Sequence, residues 1–103
     1  NSFINASNVE ASNIINNNCS GIYANVGSII NASGANALNC GYAGIRASSG
    51  SMISANSANV SGGSYDIRVE NGSIISAINA TVSNEGRISP TPNTLTSSGI
   101  IFR

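Results

Sequence analysis

The chain has no histidine, no tryptophan and no lysine, and only 8% of its 103 residues are charged. Without histidine there is no Ser–His–Asp triad to assemble. Two cysteines, Cys19 and Cys40, cannot alone complete a tetrahedral zinc shell, so neither a metal nor a cofactor is expected. Four arginines balance four acidic residues with no basic run, which removes the clustered cations that nucleic-acid phosphates require. No apolar stretch approaches the roughly 20 residues that cross a bilayer, so no membrane insertion is expected. The opening "NSFINASN" has neither the positive nor the apolar region of a secretory leader. It lacks a starting methionine and begins inside a repeat, which reads as a fragment or processed product with more of the same pattern ahead of it.

Aromatic residues are 5% of the chain, and the apolar side chains are mainly Ala, Ile and Val. A compact globule needs larger side chains to fill its centre, whereas a thin interior suits this set. Disorder is disfavoured because Ile and Val recur throughout and the net charge is zero. The cysteines read as two small buried side chains on neighbouring turns, with a disulfide as the alternative.

What the chain does contain is a repeat. "GSIINASGANALN" from Gly27 returns as "GSMISANSANVSG" from Gly50 and "GSIISAINATVSN" from Gly72, a period of 22 to 23 residues. A partial copy opens the chain, and its extra residues fall in "NIINNNCS", the place where a stacked coil tolerates insertion. Aligned residues form columns: Ile4, Ile30, Ile53, Ile75; Ala6, Ala32, Ala55, Ala77; Ile22, Ile45, Ile67. Two more run through Val9, Ala35, Ala58, Ala80 and through Ala11, Ala37, Val60, Val82. Apolar columns are separated by one mostly polar column, the period of a strand with one buried face. Corners are expected near Gly27, Gly50 and Gly72, and near Gly34, Ser57 and Asn79, because Gly and Asn tolerate positive φ.

The pattern predicts an all-β fold: a parallel, right-handed β-helix (solenoid) of about four rungs, stacked about 4.8 Å apart. The rungs are assigned to residues 1–87, as a partial first rung at 1–20 and repeats at 21–43, 44–65 and 66–87. In residues 88–103 the repeat dissolves, Pro90 and Pro92 cannot donate to a ladder, and "GIIFR" is expected to cap the coil or contact another subunit.

The wording "GIYANVGSIINASGANALNCGYAGIRASSGSMISA" resembles the C-terminal repeats of bacteriophage tailspike and tail-fibre proteins over roughly residues 21–80. The resemblance implies an elongated homotrimer in the virion that attaches to host cell-surface polysaccharide, in some members with depolymerase activity. The alternatives are part of a depolymerase spike whose active site lies elsewhere, or a fragment of a bacterial adhesin or autotransporter passenger. An ice-binding solenoid is disfavoured because Thr81, Thr91, Thr94 and Thr96 form no ladder.

No catalytic residue is assigned. Asp66 and Glu70 lie four residues apart on one predicted strand, about 13 Å if extended, outside the roughly 5–9.5 Å of glycosidase carboxylate pairs. Glu10 and Glu85 lie far along the chain, and all four acids read as solvated outward charges. One outward column stands out: Tyr23, Arg46 and Arg68, on a face shared with Asn25, Ser48 and Glu70. Three readings are open for it: a subunit contact in which Glu70 pairs with a neighbouring arginine, a solvated surface, or a grip for an acidic glycan.

Overall fold

The computed structural model describes residues 2–103 and is all-β. Each turn of the chain lays down short strands on three walls. Sheet A holds β1 (Phe3–Asn5), β3 (Ile29–Asn31), β6 (Met52–Ser54), β9 (Ser73–Ser76) and β12 (Gly99–Phe102). Sheet B holds β4 (Asn36–Cys40), β7 (Asn59–Gly62) and β10 (Thr81–Val82). Sheet C holds β2 (Ile22–Ala24), β5 (Ala43–Ala47), β8 (Tyr65–Val69) and β11 (Ile88–Ser89). Every pairing between these strands is parallel, and each joins a strand to its counterpart one turn away. The result is a β-solenoid of about four turns.

Pairing in register puts like side chains on one another. Ile4, Ile30, Ile53, Ile75 and Ile101 form one column, and Ile22, Ile45, Ile67 and Ile88 another. Ile45, Ile53, Ile67, Ile75 and Ile101 have no appreciable solvent exposure, and alanines fill the narrow angles between walls. The interior also carries hydroxyls. Ser51 and Ser73 are fully buried, and each accepts the backbone N–H of the serine one turn earlier, Ser28 and Ser51, at 3.1 Å. Each such serine satisfies a corner donor that the wall would otherwise leave unpaired.

The corners fall where the sequence places them. Val26–Gly27, Ser49–Gly50 and Asn71–Gly72 each have both residues at positive φ, and a single left-handed residue (Asn8, Gly34, Ser57, Asn79) turns sheet A into sheet B. Val26 is the anomaly. A β-branched side chain at φ 53° is strained, and its equivalents on the next two turns are Ser and Asn.

Two expectations change. Segment 88–103 does not simply fold over the end of the coil. Its two ends extend the stack, with Ile88 packed under Ile67 and β12 paired along its whole length to β9. Residues 90–98, with Pro90 and Pro92, replace the tight sheet C to sheet A corner of the earlier turns with a longer loop and add no strand. The Asn93 N–H reaches the Ile101 carbonyl at 2.7 Å, and Arg103 donates to the Ala77 and Ala80 carbonyls at 3.0 and 2.6 Å while pairing with Glu85. The apolar run of "GIIFR" was legible as a segment that covers the coil, but its register, which buries Ile101 on Ile75 and leaves Ile100 beside Ile74 on the outer side, needed the long loop to be closed first. The second change concerns the cysteines. Cys40 is buried and Cys19 exposed, both as free thiols, because the insertion carries Cys19 off the wall.

Three outcomes are expected. Val26→Asn raises stability by about 1 kcal/mol by relieving the left-handed strain, read as a shift in the urea midpoint. Gly99→Ala, whose new methyl would sit 1.9 Å from the Ser73 carbonyl oxygen, lowers it by at least about 2 kcal/mol. In native protein iodoacetamide labels Cys19 alone; burial pushes the Cys40 thiol pKa up, so mass spectrometry finds a second adduct only after unfolding.

Candidate functional site

Sheet C presents the column predicted from the sequence. Tyr23, Arg46, Arg68 and Ser89 are register partners on β2, β5, β8 and β11. The period of two that sends Ile45 and Ala47 inward turns Arg46 outward between them, and parallel stacking repeats the choice one turn later at Arg68.

The outward side chains interlock. The Arg46 guanidinium lies 4.5 Å from the centre of the Tyr23 ring and 5.0 Å from that of Tyr42. Its Nε donates to Glu70 Oε1 at 2.5 Å, one turn away. Burial on its own disfavours the Arg46 charge, but the Glu70 hydrogen bond and charge more than offset this and hold its pKa above the usual value. Arg68 stacks on Tyr65 at 4.6 Å and donates through Nη1 to the Ser89 hydroxyl at 2.7 Å. Tyr42 and Tyr65 meet edge to face at 5.5 Å.

Sequence reading found Tyr23, Arg46, Arg68 and Glu70 but missed Tyr42 and Tyr65. The signal was present in "GYAGIR" and "GSYDIR", where a tyrosine precedes each arginine by three or four residues. Glu70 pairs with Arg46 within one chain, one turn away.

Asp66 overturns another expectation. It is not a solvated outward charge: it is fully buried. Its carboxylate accepts from the Gly62 N–H at 3.0 Å, the Ser83 N–H at 2.7 Å, the Asn84 N–H at 2.9 Å and the Ser83 hydroxyl. It therefore ties together the sheet B to sheet C corner on two successive turns, just ahead of a short 3-10 helix, Glu85–Arg87. Since Gly44 occupies the equivalent place one turn earlier, no column of acids announced a structural role. Asp66 and Glu70 face different partners and do not form a catalytic pair.

The other walls have different chemistry. On sheet B, Asn59 donates its amide to Asn36 at 2.7 Å and Asn36 donates to Glu10 at 3.1 Å, a ladder ending on a carboxylate. Hydrogen bonds from Ser12 and Asn36 hold the Glu10 pKa below the usual carboxylate range. Near the B–C corner a groove of about 330 Å³ is lined in part by Asn39, Cys40, Ser61 and Arg87. The Arg87 guanidinium there donates to the Gly62 and Gly63 carbonyls at 2.7 and 2.8 Å. Among the described residues, no three His, Cys, Asp or Glu side chains gather as a metal site, and no helix is long and apolar enough to cross a membrane.

Comparison with known proteins finds no matching family model, no matching curated protein and no matching solved structure. The physical reading of the walls therefore carries the functional argument.

Asp66→Asn is expected to cost about 2–3 kcal/mol, since the new amide points donors at donors in a buried site. Glu70→Gln, at a partly exposed pair, is expected to cost under about 1 kcal/mol. Urea unfolding of both variants checks the ranking; equal losses would contradict the assignment of Asp66 as the corner tie.

Proposed function

We propose that the chain is a non-catalytic structural and receptor-binding module of a phage tailspike or tail fibre. In this reading it forms a homotrimer of parallel coils in the virion, attached outside the cell to host surface polysaccharide. The coil is taken as right-handed, the sense that parallel crossovers adopt almost without exception. The carrying observation is that the polar side chains hold turn to turn: Arg46 on Glu70, Arg68 on Ser89, Asp66 on the next corner, Asn59 on Asn36. Such ties make the coil a stiff stack with a patterned surface. The resemblance of its repeats to phage spikes supplies the biological setting.

Attachment is assigned to the sheet C ladder. Tyr23 is 43% exposed and offers a ring for a sugar face, and Arg68 has no carboxylate partner among the described residues, leaving it a cation for an acidic glycan. Light scattering tests the assembly: a mass three times 10.4 kDa is expected, and a single-chain mass would favour a passenger fragment instead. Titration with an acidic capsular polysaccharide tests attachment. Arg68→Ala and Tyr23→Ala are each expected to weaken binding by about tenfold, as loss of a charged or stacking contact does; unchanged binding in both would remove the ladder from recognition.

A further inference from the structure

The isoleucine column of sheet A finishes differently at its two ends. Ile4 on β1 is 49% exposed, whereas Ile101 on β12 is fully buried. An end strand has a neighbouring strand on one side only, so a buried last member means that something other than a strand closes the other side. The backbone hydrogen bonds identify it.

On each earlier turn the residue just past the sheet A strand gives its N–H to the next turn: Ala32 to the Ser54 carbonyl, Ala55 to Ser76 and Ala77 to Phe102, each at 2.7 Å. Register makes Arg103 the next member of that series. Its N–H goes instead to the Asn93 side-chain Oδ1 at 3.0 Å. Ile101, two residues back, turns its backbone to the same side, and its carbonyl takes the Asn93 N–H at 2.7 Å. Asn93 does this at φ 61°, in the left-handed region that asparagine tolerates. The corner into sheet B repeats the substitution. The Ala35 and Ala58 carbonyls accept from Asn59 and Thr81 of the following turn, at 2.9 and 2.8 Å. Ala80 holds the same place on the last turn, and its carbonyl accepts Arg103 Nη1 at 2.6 Å. Glu85 holds that guanidinium through Nε and Nη2. One asparagine and one arginine thus occupy the Arg103 N–H and the Ile101 and Ala80 carbonyls, the groups a further turn would pair.

We infer that Asn93 and Arg103 form a stop that closes this edge of the coil to strand addition. The need for it follows from the repeat. Every turn matches the next in register, so an unguarded β12 edge on one copy is complementary to the β1 edge of another, with its exposed Ile4. Head-to-tail contacts of that kind do not close on themselves and grow into filaments. The stop acts along the coil axis, so it holds whatever number of coils lie side by side.

The test is light scattering over a concentration series on wild type, on the double variant Asn93→Ala/Arg103→Ala and on Arg87→Ala. The last loses bonds to the Gly62 and Gly63 carbonyls, inside the stack rather than at its edge. Wild type and Arg87→Ala are expected to keep one mass throughout, whether of one chain or of three, so the trimer reading stands or falls separately. The double variant is expected to climb with concentration to at least about twice that mass. Adding Ile4→Lys, which puts a charge on the opposite edge, is expected to return it to the wild-type value. A wild type that climbs, a double variant that does not, or growth that Ile4→Lys leaves untouched overturns the proposal. Should the double variant lose its β circular dichroism spectrum, amide exchange in wild type decides. The Arg103 N–H is expected to exchange at least about tenfold more slowly than that of Thr94 in the exposed loop; equal rates overturn the stop.

Discussion

Parallel, in-register pairing of each turn with the next is the constraint from which the rest follows. Strands about 4.8 Å apart leave no freedom in what sits over what. A residue that faces inward on one turn must be matched by one of similar size on the next, so the isoleucines of sheets A and C stand in unbroken columns. The interior is only a few side chains across. That is why alanine dominates the corners and why a chain so poor in aromatic residues still buries a continuous core.

The same geometry makes polar residues structural. A serine or asparagine repeated at one place on successive turns meets its own kind at hydrogen-bonding distance, and each donor finds an acceptor along the axis. Ser51 and Ser73 do this inside, and Asn36 and Asn59 outside. Asp66 extends the logic to a charge: its buried carboxylate collects backbone N–H groups at a corner where the repeat is irregular. A buried charge is tolerable only when so fully hydrogen-bonded.

Three walls built by one rule carry three chemistries. Sheet B is an amide ladder, sheet C a stack of tyrosines and arginines, and sheet A an apolar ridge with a groove. Each external column is free of the packing demand that fixes the internal ones, so it is there that a solenoid differentiates its surfaces.

The columns, the period, the two glycine- or asparagine-marked corners and the Tyr23–Arg46–Arg68 register were all legible in the sequence, because a strict repeat maps spacing directly onto space. Features that break the repeat were not. Asp66 stands in a column with Gly44, Cys19 rides on an insertion, and Ile101 rejoins the stack after a loop with no counterpart earlier in the chain. Spacing along the chain determined which residues share a wall and which point inward. Only the folded coil decided which outward side chains meet across turns, since Glu70 reaches Arg46, and Tyr42 and Tyr65 lean against the arginines, through the lengths and directions of side chains that a one-dimensional pattern does not contain.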